Sequence, residues 1–258
     1  MTQEERRIWL IQYLLKEQNQ DKKIPSNEDG QNKLLRSLFN VRFPHPVSEE
    51  FLKIQDEYLT QFNKDRGITN AATLKPVKAD KRLFIWQGDI TTLKCDAIVN
   101  AANSKLLGCF QPLHDCIDNF IHTYAGVQLR TKCYEIMQSQ GHDEPTGQAK
   151  ITPAYNLPSK YVIHTVGPII RRQVTERDKE LLKSCYLSCL KLALSYGVES
   201  IAFCCISTGA FRFPQKPAAE IAVNTVRDFL KEHSAIKQVI FNVFKEEDLS
   251  IYNKLLNE

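Results

Sequence analysis

No apolar run in this chain approaches the ~18–20 residues needed to cross a bilayer. Blocks of like charge are missing too: 34 Lys+Arg against 30 Asp+Glu leave a net charge of +4, scattered along the chain. A membrane span is therefore not expected. Without basic–aromatic interleaving, nucleic acid is not the expected partner either. The opening residues, MTQEERRIWLIQYLLKEQNQ, have charges on both sides of a short apolar stripe and no small-residue cleavage site, unlike a secretory leader. Internal repeats and low-complexity tracts are absent. So is the Gly-Lys-Ser/Thr signature of a Walker loop.

What is present is ordinary in bulk and unusual in one place. A length of 258 residues, with 43% hydrophobic and 25% charged, fits a soluble α/β domain carrying an extension. The eight cysteines do not suggest a disulfide framework. Cys185 and Cys189 share a helical stripe and Cys204-Cys205 sit in an apolar run, which reads as buried thiols in a reducing, cytoplasmic setting. Only Cys109 and Cys116 stand in company suited to chemistry.

Residues 1–72 are expected to form a helical extension. Ile8, Ile11, Leu14 and Leu15 form one stripe, Leu34, Leu35, Leu38 and Phe39 a second, and Phe51, Ile54, Tyr58, Leu59 and Phe62 a third, capped at Ser48. The extension is read as packing on the main domain, with a lid or partner-binding surface as the alternative. Over residues 73–258 strands and helices largely alternate. That pattern predicts a three-layer α/β/α fold with a mixed, mostly parallel sheet. Strand runs begin at Leu83, Asp96, Ala149, Tyr161, Ile201 and Val239. Helices are expected from about Leu113, over 127–140, up to a Gly197 stop, over 218–231 and over 248–256.

Ligands of such folds sit on loops at the carboxyl ends of strands. Four loops qualify: Gly88-Asp89, the stretch from Asn100 to Cys116, Ser207 to Phe213, and the residues after Phe241. Ser207-Thr208-Gly209-Ala210-Phe211 can turn backbone N–H groups toward an anion, or be a plain turn. Asp89 can accept from an exocyclic amine such as adenine's, or cap the next turn. Cys109-x4-His114-x-Cys116 is the stronger signal, because two thiols and an imidazole within eight residues match zinc. Three ligands with an open position would mark a catalytic metal. Chance clustering, or a structural site completed by a distant residue such as His142, are the alternatives.

Five ordered motifs then carry a family resemblance: Gly88-Asp89-Ile90-Thr91, Asn100-Ala-Ala-Asn103, Ile117-Asp118-x-x-Ile121-His122, Tyr161-Val-Ile-His164-Thr-Val-Gly167-Pro168 and Ile206-Ser-Thr-Gly209-x-Phe211. Over about residues 82–258 the chain resembles macrodomains of the MacroD type, which bind ADP-ribose and often cleave it from proteins. Where those enzymes carry a glycine-rich loop, this chain has Gly108-Cys-Phe-Gln-Pro-Leu-His-Asp-Cys116. In that it is similar to zinc-dependent bacterial macrodomains, linked to a sirtuin-type transferase and a lipoyl-carrier protein. The resemblance implies Zn2+ on Cys109, His114 and Cys116, with Asn103 and Asp118 as catalytic residues. It implies that Asp89 binds the adenine amine with help from the Ile90 backbone. Asn100 and Asn242 would be further ligand contacts, and Ser207, Thr208, Gly209, Ala210 and Phe211 would cradle the diphosphate. Ala210 and Arg212 depart from the family, which often has a larger apolar residue and a glycine there. His122 and His164 are read as buried structural residues. The implied activity is zinc-dependent hydrolysis of mono-ADP-ribosylated protein at acidic side chains. Its alternatives are a non-cutting ADP-ribose reader and an O-acetyl-ADP-ribose deacetylase.

Overall fold

A computed structural model describes residues 1–257. Its first layer consists of α1 (Gln3–Glu17), α2 (Glu28–Val41) and α3 (Glu49–Asp65). Each starts at a side-chain cap: Thr2 in a reciprocal box with Glu5, Asn27 onto Gly30 N–H, and Ser48 onto Phe51 N–H. Such caps contribute about 1 kcal/mol each by satisfying donors that a helix start leaves open. The expected apolar stripes meet in a core of their own, built on Leu10, Leu14, Leu38, Phe51 and Leu59, and closed by Val127 from the main domain.

The remainder is built on a six-stranded sheet. In chain order its strands are β2 (Leu83–Gln87), β4 (Ala97–Ala101), β5 (Ala149–Pro153), β6 (Tyr161–Thr165), β7 (Ser200–Phe203) and β8 (Gln238–Val243). They lie side by side as β2-β8-β7-β4-β6-β5, every pair parallel except β5 with β6. Two short strands, β1 (Thr69–Asn70) and β3 (Leu93–Lys94), pair separately. The expected mixed, mostly parallel sheet is thus present.

Its two faces are covered by different helices. Along β6, His164 meets Cys133 of α5 (Val127–Gln140), while the next residue, Thr165, meets Cys185 of α6 (Glu176–Ser195). Adjacent strand residues point to opposite faces, so α5 and α6 lie on opposite sides. With α6 pack α7 (Gln215–Glu232) and α8 (Glu246–Asn257), the latter bringing Tyr252 against Phe241. With α5 goes α4 (Ile117–Ala125), which joins the sheet at β4 and the extension at α2. This stacking makes α4 the hinge point between extension and site. Among the described residues, no helix is long and apolar enough to cross a membrane.

The boundary that departs furthest from expectation is the start of α4. The helix foreseen from about Leu113 begins at Ile117, because Leu113 holds a left-handed backbone (φ 57°) and the segment before Cys116 is a loop. The chain there is bound by side chains from elsewhere, and local periodicity cannot reveal that.

Candidate active site

The carboxyl ends of β4, β6, β7 and β8 open into one cavity of about 540 Å3, in the usual size range for small-molecule sites. At one end stand Asn103, Asp118, Cys109, His114 and Cys116; at the other, Asn242, Phe244, Lys245 and Asp248. The 207–211 loop forms the wall between them.

Asp118 opens α4 and is buried. Asn100, fully buried at the end of β4, donates to Asp118 Oδ1 at 2.7 Å, and Asn103 donates to Oδ2 at 3.4 Å. Burial pushes the Asp118 carboxyl up to about 6, against the pull of the Asn100 amide and the Arg130 charge. A carboxyl tuned to that range can hold or accept a proton near neutral pH. The structure therefore separates the two asparagines. Asn103 faces the cavity, while Asn100, expected as a ligand contact, lies behind Asp118 and acts on its carboxylate.

Cys109, His114 and Cys116 are half-buried, and their donor atoms lie within 4.8 Å of one another; Cys109 Sγ is 3.4 Å from His114 Nδ1. Two thiols and an imidazole at this spacing fit a tetrahedral zinc site, and no fourth His, Cys, Asp or Glu joins the group among the described residues. His142 is exposed and bonded to its own loop, so the distant-ligand alternative finds no support. Burial, with Cys109 beside it, pushes the Cys116 thiol up to about 12, a penalty that a coordinating cation reverses by favouring thiolate. Gly108 enters this loop at φ 78°, and a Cβ there would stand 2.8 Å from the His122 ring. Only glycine lets the loop approach α4 so closely.

In the wall loop Ser207 takes φ 67°, the loop closes through Phe213 N–H to Ser207 O (2.9 Å), and the N–H groups of residues 209–211 have no acceptor among the described residues, which leaves them able to face an anion. Arg212, where glycine was the family expectation, keeps the left-handed backbone (φ 61°) that glycine favours. The loop path thus survives the change of side chain. Behind it, Gly167 lies so close that a Cβ would sit 2.0 Å from Ser207 Oγ.

Asp89 and Ile90 stand apart from this cavity. Asp89 lines an adjoining cleft with Arg66, Trp86 and Gly88. Its Oδ1 caps the 3-10 turn Ile90–Thr92, accepting from Thr91 N–H at 2.9 Å, and its Oδ2 pairs with Arg66 of the extension. Of the two local readings of Asp89, the cap is made; the side chain is 36% exposed, with its second oxygen held by Arg66. Ile90 itself is buried. Asn242 bridges the two regions by donating to Gly88 O at 2.9 Å.

Several site residues carried no signal in the sequence. Gln215 and Asp248 reach the cavity from the first turns of α7 and α8. Cys205, expected as a core thiol, lines it because β7 ends at Phe203. Arg36 and Arg66 look like ordinary helix-surface residues, yet both reach site loops. All eight cysteines are free.

Residues 99–222 match the family model of the Macro domain. Over the full length of both chains, the protein is 60% identical to a protein-ADP-ribose hydrolase of Treponema medium. It is 52% identical to a protein-ADP-ribose hydrolase of Staphylococcus aureus, covering 96% of this chain and 95% of that one. Among solved structures, a Trypanosoma brucei macrodomain in complex with ADP-ribose superposes with a TM-score of 0.67 at 31% identity, over 85% of this chain and 94% of that one. End-to-end similarity of this order, on a sheet and cavity of this form, makes the chain a member of the macrodomain family.

Proposed function

We propose that this protein is a zinc-dependent hydrolase of the MacroD type that releases ADP-ribose from modified acidic side chains of proteins. The observation that carries the reading is the meeting, at one end of a single cavity, of Cys109, His114 and Cys116 with Asn103 and Asp118. The names of the two curated relatives point to the same activity.

ADP-ribose enters with its diphosphate along residues 207–211, where unpaired N–H groups donate to the phosphate oxygens. Asn242 and Phe244 then border the adenine, and Asp89 reads its amine from the adjoining cleft. The distal ribose reaches Asn103, whose amide is also tied to Gly108 O at 3.0 Å and so is held in place. Asp118 orients or deprotonates the attacking water, with Asn100 fixing the carboxylate from behind. Zn2+ held by Cys109, His114 and Cys116 would supply Lewis acidity toward the ribose and the departing carboxylate. The substrate is the product of an ADP-ribosyltransferase; the family resemblance suggests a sirtuin-type enzyme acting on a lipoyl-carrier protein.

The test is direct. Incubated with carboxylate-linked mono-ADP-ribosylated protein, the chain should release ADP-ribose, and a chelator should stop it until zinc is restored. Binding without release would make it a reader; release indifferent to chelation would remove the metal from the mechanism.

A further inference from the structure

Between Leu107 and Cys116 the chain has no regular secondary structure and one main-chain bond of its own, His114 N–H to Gln111 O at 3.3 Å, so most of its buried main-chain groups need partners from outside. Side chains supply them. Arg130 donates to Leu107 O (2.7 Å), Asn103 to Gly108 O (3.0 Å) and Asn119 to Gln111 O (2.9 Å). The two contacts flanking the imidazole come from the extension. Asn40 accepts from Leu113 N–H at 3.0 Å, and Arg36 donates to His114 O at 2.7 Å.

Both residues are themselves fixed. The Asn40 amide is buried and donates to Thr123 of α4 at 2.8 Å. The Arg36 guanidinium also donates to Asn119 Oδ1 (3.0 Å) and lies 4.1 Å over the Phe120 ring. Each is thus locked to α4 on one side and grips the loop on the other. The two contacts hold the peptides on either side of the Leu113–His114 pair, and Leu113 keeps a left-handed backbone that an untethered loop would leave.

We propose that Arg36 and Asn40 are positioning residues for the metal clip, and that the helical extension serves to preorganise it. This rests on the zinc reading above. Groups that orient metal ligands without touching the metal typically change affinity 10–100-fold, because the loop must otherwise be ordered when the ion binds. The extension then belongs to the site's machinery, although none of its residues lines the cavity.

The test measures zinc affinity by competition with a chromophoric chelator, together with the absorption spectrum of the cobalt-substituted protein. Arg36→Ala/Asn40→Ala should bind zinc about 10–100-fold more weakly and give an altered cobalt spectrum. Its circular dichroism and, in chelated protein, its ADP-ribose titration should be unchanged. Asn63→Ala is the control, because Asn63 ties the same extension to Tyr124 O and Asn156 O away from the clip. It should lower the melting temperature and leave zinc affinity alone. Should the double variant not fold, Arg36→Met, which keeps the stem over Phe120, should still show a several-fold loss. Zinc affinity and cobalt spectrum equal to the unaltered protein's in a folded variant overturn the proposal. Failure of the unaltered protein to take up zinc overturns the zinc reading itself.

Discussion

Along the chain, two groups of three Cys and His donors lie on either side of Asp118, and only one opens on the cavity. Cys109, His114 and Cys116 are half-buried on a loop that lines the cavity. His122, Cys133 and His164 meet the same distance criterion, yet all three are buried. Burial holds the His164 imidazole down at about 3 and His122 well below its ordinary value, while pushing the Cys133 thiol far above its own. The Arg130 charge stands beside His122 and further opposes any cation. His164 has neutral partners in Asn100 and Thr152. His122 has none for either ring nitrogen, its contact with Asp118 being 3.6 Å. An unpaired buried polar group costs about 1–3 kcal/mol. Donor type and spacing are therefore not enough: access from the cavity distinguishes the exposed group from the polar core.

The sharpest way to break this contrast is within the exposed group. His114→Ala or Cys116→Ala should lose zinc and lower turnover by about 10²-fold or more, with circular dichroism unchanged. Metal analysis showing full zinc occupancy would refute the assignment. Next, Asn103→Ala should reduce kcat more than it weakens ADP-ribose binding, and equal losses would make it a mere anchor.

Asp118, between the two groups, gives a pH test in chelated protein. Its folded pKa of about 6 lies above the ordinary 3.8. The carboxyl therefore favours the fold fully below pH 3.8, and that contribution is lost as pH rises through about 6. Asp118→Asn should melt higher than the unaltered chain at pH 8, and the gap should close below pH 4. The same variant should lose about 10²-fold or more in turnover. A smaller effect is expected from Asp89→Ala: a three- to tenfold loss in calorimetric ADP-ribose affinity, about the worth of one hydrogen bond. Least of all, Cys133→Ala should leave zinc content unchanged and lower stability by only about 1 kcal/mol, its mark being a shifted denaturant midpoint.

How far the sequence could be read follows the same division. The segment from Asn103 to Asp118 is legible because its chemistry is contiguous and follows a strand, and its Asn103, Cys109, His114, Cys116 and Asp118 do line the cavity, with Asn100 behind them. Helices α1 to α3 are legible from their apolar stripes, and α3 also from its Ser48 cap. What local pattern could not show is contact across the chain. Arg36 and Asn40 reach partners 78 and 73 residues away, and Arg66 reaches Asp89 across 23. In the sequence they are polar residues beside apolar stripes, as any helix surface has. The same blindness put the start of α4 at Leu113, since a loop held by remote side chains has no periodicity of its own. Cys205 was misread for a related reason: an apolar run does not announce where pairing stops and a cavity begins.

The contact between Gly167 and Ser207 constrains how this cavity can change over generations. A methyl group at residue 167 would meet Ser207 Oγ at 2.0 Å and also Ile206 Cγ2 at 2.9 Å. Shrinking Ser207 alone would relieve one collision and keep the other. An alanine at 167 is thus reachable only after two neighbours have already yielded, through ancestors with a hole where the floor now closes. That corner of the protein is locked by the order in which mutations would have to arrive.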